Sequence, residues 1–273
     1  MSQTTAPATQ YLDVPGGRLA FDDTGHGTGA PVLLLPGMMV PRSVYRDVRP
    51  LLAAAGHRVI TLDVRGFGDS SIAWDDYSPA ALADDALALL DHLGIERAVL
   101  AGHSYTGATV VRLAGLAPER VAGIALLAAF VESPAPNAVM KVLMKVMGAA
   151  FVHLPSTWGM YQKLAFPTKP AGFEEYRAGL VAALRTPGRK QATRGYVTGD
   201  SAPVGWSAAV TCPALVVMGG KDPDFPRPEL VADRQAAALH ARKVIVEGAG
   251  HYLMVERPQA TADALLGFLA DLA

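Results

Sequence analysis

The stretch that decides the fold of this 273-residue chain is residues 100–107, Leu-Ala-Gly-His-Ser-Tyr-Thr-Gly. An apolar run, Ala98 to Ala101, leads into it and predicts a short buried strand. The small-residue segment Thr106 to Ala114 predicts a closely packed helix. A strand that turns sharply into a helix through Gly102 would hold the hydroxyl of Ser104 at the apex of the turn, beside the N-terminal amides of the helix. We therefore predict that Ser104 is an exposed nucleophile.

Length and composition favour one α/β domain with an insertion, since 51% of the residues are hydrophobic and the chain can bury a large core. The formal net charge of −1 supplies no basic field, which excludes phosphate-driven binding of nucleic acid. The single cysteine, Cys212, excludes an intrachain disulfide framework. Neither a basic or apolar leader nor a membrane-spanning apolar run is visible, so we expect a cytoplasmic protein. We also expect a monomer or homodimer that acts on a small lipophilic substrate and needs no metal or cofactor.

Short apolar runs recur along the chain with helical segments between most of them, which predicts a mostly parallel sheet covered by helices on both faces. The predicted strands are a hairpin over residues 11–23 and runs at 31–35, 59–62, 98–101, 123–127, 214–218 and 243–246. A proline at position 79 and a glycine at 94 bound one helix, in which Asp84, Asp85 and Asp91 are expected to form a solvated face. Proline at 258 opens a closing helix.

The alternation breaks over residues 131–209, which is too long a segment for a structureless loop in a compact domain. Apolar residues at helical spacing predict helices near 137–151 and 173–184. We therefore predict a helical insertion at 131–209 in a core formed by residues 1–130 and 210–273.

A serine hydroxyl is a poor nucleophile at neutral pH and needs a neutral histidine and an acid that fixes the tautomer of that histidine. His251 is the candidate base, because it lies on a glycine-rich loop after the last apolar strand and before the last helix. The remaining histidines lie in hairpins, helix ends or turns, where solvent contact or local hydrogen bonding is expected: His26, His57, His92, His103, His153 and His240.

The acid should follow the preceding strand, and the segment after Met218 supplies two carboxylates. Asp222 is favoured because it lies nearer the strand and Pro223 fixes the backbone just after it. Asp224 could instead be a turn or helix-entry residue. Glu132 is a more distant alternative.

Backbone amides must stabilise the negative charge that develops on the substrate oxygen. We expect one from Tyr105, directly after the nucleophile, and one from Met38, in the loop after the strand that ends at Leu35. Gly37 would permit a close approach of this loop. The predicted substrate pocket comprises Met39, Phe130, Met140, Met144, Met147, Trp158 and Tyr252.

Four motifs in this order resemble the α/β-hydrolase superfamily over nearly the whole chain. They are the serine turn, the glycine-rich segment Asp63 to Ser70, the segment Gly219 to Asp222 and the pair Gly250–His251. The resemblance implies a mostly parallel eight-stranded sheet with a helical cap over the active site. Two positions depart from the common pattern, because Thr106 stands where glycine is usual and Pro36 opens the oxyanion loop in place of histidine.

Our leading hypothesis is a serine hydrolase that cleaves a carboxylic ester through an acyl-enzyme. We expect a small to medium lipophilic substrate, because the predicted insertion is rich in Met, Leu, Phe and Tyr and poor in clustered charge. Serine at position 104 disfavours dehalogenase and epoxide hydrolase chemistry, for which similar proteins use aspartate there. Carbon–carbon bond hydrolases, thioesterases, lactonases and perhydrolases share the triad and stay open as alternatives. A second hypothesis is a non-hydrolytic lyase or cyclase that uses His251 as general base. A third is a ligand-binding receptor.

Overall fold

The computed structural model describes residues 7–131, 138–198 and 205–272 and contains one eight-stranded sheet. Across the sheet the strands run in the order β1-β2-β4-β3-β5-β6-β7-β8. The pairs β1/β2 and β2/β4 are antiparallel and the other neighbours are parallel. The strands are β1 Gln10–Val14, β2 Gly17–Asp23, β3 Gly29–Leu35, β4 His57–Leu62, β5 Ala98–His103, β6 Val121–Leu127, β7 Ala214–Gly219 and β8 Arg242–Val246.

Helices separate most of the strands and cover the sheet. They are α1 Arg49–Ala54, α2 Pro79–His92, α3 Thr106–Leu116, α4 Ala138–His153, α5 Pro155–Ala165, α6 Phe173–Leu184, α7 Arg189–Thr198, α8 Pro228–Leu239, α9 Leu253–Glu256 and α10 Pro258–Asp271. The predicted mostly parallel sheet with flanking helices is therefore confirmed. No helix in the described ranges is both long and apolar enough to cross a bilayer.

Burial explains why the central strands read as continuous apolar runs. Every residue of β5 and β7 is buried, as expected for parallel strands that are covered on both faces. One prediction for the flanking helix α2 is wrong, because Asp85 is 3% exposed rather than solvated. The guanidinium of Arg65 donates to both carboxylate oxygens of Asp85, at 2.5 and 2.8 Å, and a buried carboxylate requires such a partner.

The helices α4 to α7 follow β6 and precede β7, and we call residues 138–198 the helical insert. Several hydrogen bonds join it to the rest of the chain. The amide of His251 donates to the carbonyl oxygen of Ala165 at 3.0 Å, and the amide of Thr168 donates to a carboxylate oxygen of Glu256 at 2.8 Å. The guanidinium of Arg189 donates to the carbonyl oxygens of Gly66 and Gly68, both at 2.6 Å.

Parallel strands end at a common edge of the sheet, so the segments that follow β3, β5, β7 and β8 converge there. These segments carry Met38, Ser104, Asp222 and His251 respectively. The topology alone thus brings four side chains or amides from distant parts of the sequence to one edge.

Candidate active site

Ser104 occupies a strained turn between β5 and α3. Its φ of 53° lies in the left-handed region, which non-glycine residues rarely adopt. The amide of Ser104 donates to the carbonyl oxygen of Leu127 at 3.0 Å, and its own carbonyl oxygen accepts from the amides of Gly107 and Phe130 at 3.1 and 3.0 Å. The serine is only 7% exposed, whereas the sequence predicted an exposed residue. The turn is as expected, but neighbouring loops cover it.

The tightness of this turn explains its small and unusual residues. A Cβ atom at Gly102 would collide with the backbone of Thr106, so only glycine fits there. Thr106, which replaces the expected glycine, is fully buried. Its hydroxyl lies 2.9 Å from the carbonyl oxygen of Leu35 and 3.0 Å from that of His103, and donates to one or the other. The threonine therefore links the nucleophile turn to the end of β3.

His251 and Asp222 form a buried pair. Nδ1 of His251 donates to Oδ2 of Asp222 at 2.8 Å, and both residues are 2% exposed. Burial lowers the pKa of the imidazole, but the charge of Asp222 and its hydrogen bond, together with Asp224 and Glu256, outweigh burial and raise that pKa above 6.5. The imidazole is thus held by Nδ1, which leaves Nε2 for proton transfer.

Of the three candidate acids, Asp222 has the geometry that an orienting acid requires. Its second oxygen, Oδ1, accepts the backbone amide of Asp224 at 2.9 Å, which fixes the carboxylate plane. Asp224 is close as well, with Oδ2 at 3.5 Å from Nδ1 of His251. Glu132 lies outside the described residues.

The loop after β3, predicted to supply an oxyanion donor, packs directly on the Ser104 turn. A Cβ atom at Gly37 would lie 3.0 Å from the Cβ atom of Ser104, which shows how closely the two segments approach. The amide of Gly37 is already engaged, since it donates to Nδ1 of His103 at 3.2 Å. Met39 adopts a left-handed φ of 61°, which bends the chain just after Met38. The roles of Met38 and Tyr105 as oxyanion donors stay predictions.

His103 has a place in the site that the sequence did not reveal. Since its Nδ1 accepts from Gly37, its Nε2 carries the proton and donates to the carbonyl oxygen of His251 at 3.0 Å. Burial and the neighbouring His251 hold its pKa well below 6.5, so the ring is neutral. The available signal was its position at the end of a buried strand and directly before Ser104.

Aromatic rings surround the imidazole of His251. The rings of Tyr252, Phe130 and Phe225 have centroids 5.4, 6.1 and 6.5 Å from it, and that of Tyr161 in the insert also lies at 6.5 Å. Trp158 stacks on Tyr161 at 4.8 Å. Tyr252, Phe130 and Trp158 were predicted pocket residues, whereas Tyr161 and Phe225 were not.

Of the methionines predicted to line the pocket, the two whose side chains the structure describes differ in their exposure to solvent. Met39 is 2% exposed and packs in the core. Met147 is 47% exposed and shares an exposed apolar stripe of α4 with Val139, Val142 and Val146, so it faces solvent. The side chains of Met140 and Met144 lie outside what the structure describes.

A separate cavity of about 820 Å³ lies between α6 and the loops that carry Arg42 and Asp69. Its lining includes Met39 but not Ser104, Asp222 or His251.

Asp222, Asp224 and His251 are the only group in the described ranges whose metal-binding atoms all lie within 4.8 Å of one another. Within this group, His251 binds Asp222, and Asp224 accepts a hydrogen bond from Tyr161. This arrangement suits acid–base chemistry.

A strained serine turn, a buried histidine–carboxylate pair and an eight-stranded sheet of this order define an α/β-hydrolase. Residues 30–258 match the family model described as alpha/beta hydrolase fold, and the chain belongs to this family.

Two curated relatives and one solved structure extend the comparison. The chain is 31% identical to the dihydrolipoyllysine-residue acetyltransferase component of the acetoin cleaving system of Pseudomonas putida, over 98% of this chain and 70% of that protein. It is 27% identical to epoxide hydrolase A of Mycobacterium tuberculosis over 98% of both chains. A thermophilic esterase from Thermogutta terrifontis, solved with malate, superposes with a TM-score of 0.82 and 26% identity over 97% of this chain and 99% of that one.

Proposed function

We propose that this protein is a serine hydrolase that cleaves a small to medium lipophilic carboxylic ester. Ser104 is the nucleophile, His251 the general base and Asp222 the acid that orients it. The observation that carries this proposal is the buried 2.8 Å bond between His251 and Asp222, at the sheet edge that also presents the strained Ser104 turn.

The reaction follows from this arrangement. Nε2 of His251 takes the hydroxyl proton of Ser104 as the serine oxygen attacks the ester carbonyl, and the oxyanion is stabilised by the amides of Met38 and Tyr105. The imidazolium returns the proton to the leaving alcohol as the carbon–oxygen bond breaks, leaving an acyl-enzyme. Water, deprotonated by His251, then releases the acid and regenerates Ser104.

The surroundings of His251 support a lipophilic substrate. Phe130, Phe225 and Tyr161 face the imidazole, and rings next to a reacting group suit an apolar acyl or alcohol portion. We further propose that residues 131–209 act as the cap above this site. The similarity to an esterase over nearly all of both chains is consistent with ester cleavage.

Epoxide opening is the alternative that the relatives raise, because one of them is an epoxide hydrolase. The left-handed turn of this chain carries serine rather than the aspartate that similar epoxide-opening proteins use. Serine with a neutral histidine favours acyl transfer, so the ester hypothesis is preferred.

The test is labelling with a fluorophosphonate probe, which reacts with activated serines. The native protein should label and Ser104→Ala should not, whereas Ser156→Ala, which removes an exposed serine at the start of α5, should label normally. A panel of aryl esters of rising acyl length, with thioester, lactone and diketone substrates alongside, then defines the bond cleaved. Poor labelling of the native protein with no burst on activated esters would refute the proposal and favour a lyase, cyclase or binding role.

A further inference from the structure

The imidazole of His251 faces two carboxylates rather than one. Oδ2 of Asp222 lies 2.8 Å from Nδ1 and Oδ2 of Asp224 lies 3.5 Å from the same atom. The side chain of Asp222 is fully buried and that of Asp224 is 20% exposed. Both charges therefore act on the imidazole through a poorly screened environment, and each favours its protonated form.

The insert supplies the partner that holds Asp224. The hydroxyl of Tyr161, in α5, donates to Oδ2 of Asp224 at 2.6 Å, which is a short bond to a charged acceptor. Tyr161 cannot turn away easily, because Trp158 stacks on its ring at 4.8 Å and Phe151 contacts both rings from the side. This oxygen of Asp224 is also the one 3.5 Å from Nδ1 of His251, whereas Oδ2 of Asp222 makes the hydrogen bond to Nδ1 at 2.8 Å.

The backbone of Asp224 serves the same arrangement. Its amide donates to Oδ1 of Asp222 at 2.9 Å, so one residue orients the proposed acid through its main chain and adds a second charge through its side chain. Replacing Asp224 by asparagine removes the charge but keeps this amide. The Asp224→Asn variant therefore separates the effect of the Asp224 charge from that of its backbone hydrogen bond.

Building on the proposed serine-hydrolase function, we propose that Asp224 and Tyr161 are positioning residues for His251. Asp224 stabilises the imidazolium that forms when Ser104 loses its proton. Tyr161 holds the Asp224 carboxylate in its charged form and away from Nδ1. Because Tyr161 belongs to the insert, the basicity of His251 depends on the placement of α5.

Other titratable groups also face His251 and influence the pKa of its imidazole. His103 and Tyr252 contact the ring at 4.9 and 5.4 Å, and Glu256 acts on it through its charge. Burial raises the pKa of Asp224, whereas His251 and the Tyr161 bond lower it and Asp222 raises it. Loss of the Tyr161 hydroxyl therefore raises the pKa of Asp224 and increases its protonated fraction.

The test is an NMR titration of the His251 imidazole in the full-length protein, with His251→Asn to assign its signal. Asp224→Asn should lower the pKa of His251 by roughly one unit, because an opposite charge is lost at short range. Tyr161→Phe should lower the pKa of His251 by less, because it removes only part of the negative charge on Asp224. In the Asp224→Asn background, Tyr161→Phe should cause no further change in that pKa. Matched controls are Asp91→Asn on α2 and Tyr11→Phe on β1, both partly exposed and expected to leave that pKa unchanged.

An unchanged His251 pKa in folded Asp224→Asn would overturn the electrostatic role of Asp224. If Tyr161→Phe shifted the pKa of His251 equally in the native and the Asp224→Asn proteins, Tyr161 would not act through Asp224. The titration needs no substrate, so it stands apart from the proposed function, whose own failure would appear as absent fluorophosphonate labelling. Circular dichroism of each variant shows that the fold is intact.

Discussion

His103 donates a hydrogen bond from Nε2 to the carbonyl oxygen of His251 at 3.0 Å, although the two residues lie 148 positions apart. The other ring nitrogen accepts the amide of Gly37. One neutral imidazole therefore connects the segments after β3, β5 and β8, and its neighbour in sequence is Ser104. The position of the proposed base, His251, relative to the proposed nucleophile depends on this ring.

We expect His103→Ala to lower the free energy of unfolding by about 3 kcal/mol, because it leaves two buried backbone groups unpaired. His103→Gln, which keeps one donor and one acceptor, should lose much less. Urea unfolding measures both variants. Similar losses in the two would show that ring volume, rather than hydrogen bonding, dominates at this position.

The same residue predicts a pH dependence of stability. The pKa of His103 is lowered in the folded protein, so below about 6.5 the unfolded chain binds the extra proton and the free energy of unfolding falls as the pH falls. His103→Gln should reduce this acid sensitivity when unfolding is followed between pH 7 and pH 5. An identical pH slope in both proteins would contradict the assignment of a neutral buried ring.

Asp222→Asn should reduce turnover at the pH optimum by roughly 10³-fold or more, because the amide favours the wrong tautomer of His251. Asp224→Asn should cost no more than about tenfold there, since a pKa shift near one unit corresponds to a tenfold change. Steady-state hydrolysis of an activated aryl ester measures both. The opposite order would assign the orienting role to Asp224.

The rate of fluorophosphonate labelling should rise with pH, because only the neutral imidazole accepts the proton of Ser104. Since the pKa of His251 is raised above 6.5, the midpoint of this rise should lie above 6.5 as well. Labelling rates between pH 5 and pH 9 provide the measurement. A midpoint below 6.5 would mean that burial outweighs the carboxylates.

Thr106→Val should lower the free energy of unfolding by about 1–2 kcal/mol, because the buried hydroxyl that donates to the carbonyl oxygen of Leu35 or of His103 is lost. Thr106→Ser retains the hydroxyl and should be closer to the native protein. Thermal unfolding compares the two. If the serine variant were the less stable, the methyl packing of Thr106 would matter more than its bond.

The sequence was sufficient to predict the sheet, the serine turn and the positions of His251 and Asp222, because these depend on strand ends and short motifs. Contacts across the insert were not predictable. Tyr161 and Asp224 lie 63 positions apart, and nothing in either local segment indicates the other. Asp85 was assigned to solvent because its helix position is polar, yet Arg65 from another segment pairs with it in the interior.

Under the proposed function, the hydrogen bonds between the helical insert and the core would restrict how a substrate enters. Swinging the whole insert outward would break the bond between His251 and Ala165, and would also release Arg189 from the carbonyls of Gly66 and Gly68. Such a movement would displace the backbone of His251, the proposed general base. Admission of a substrate with the insert in place would keep these bonds intact.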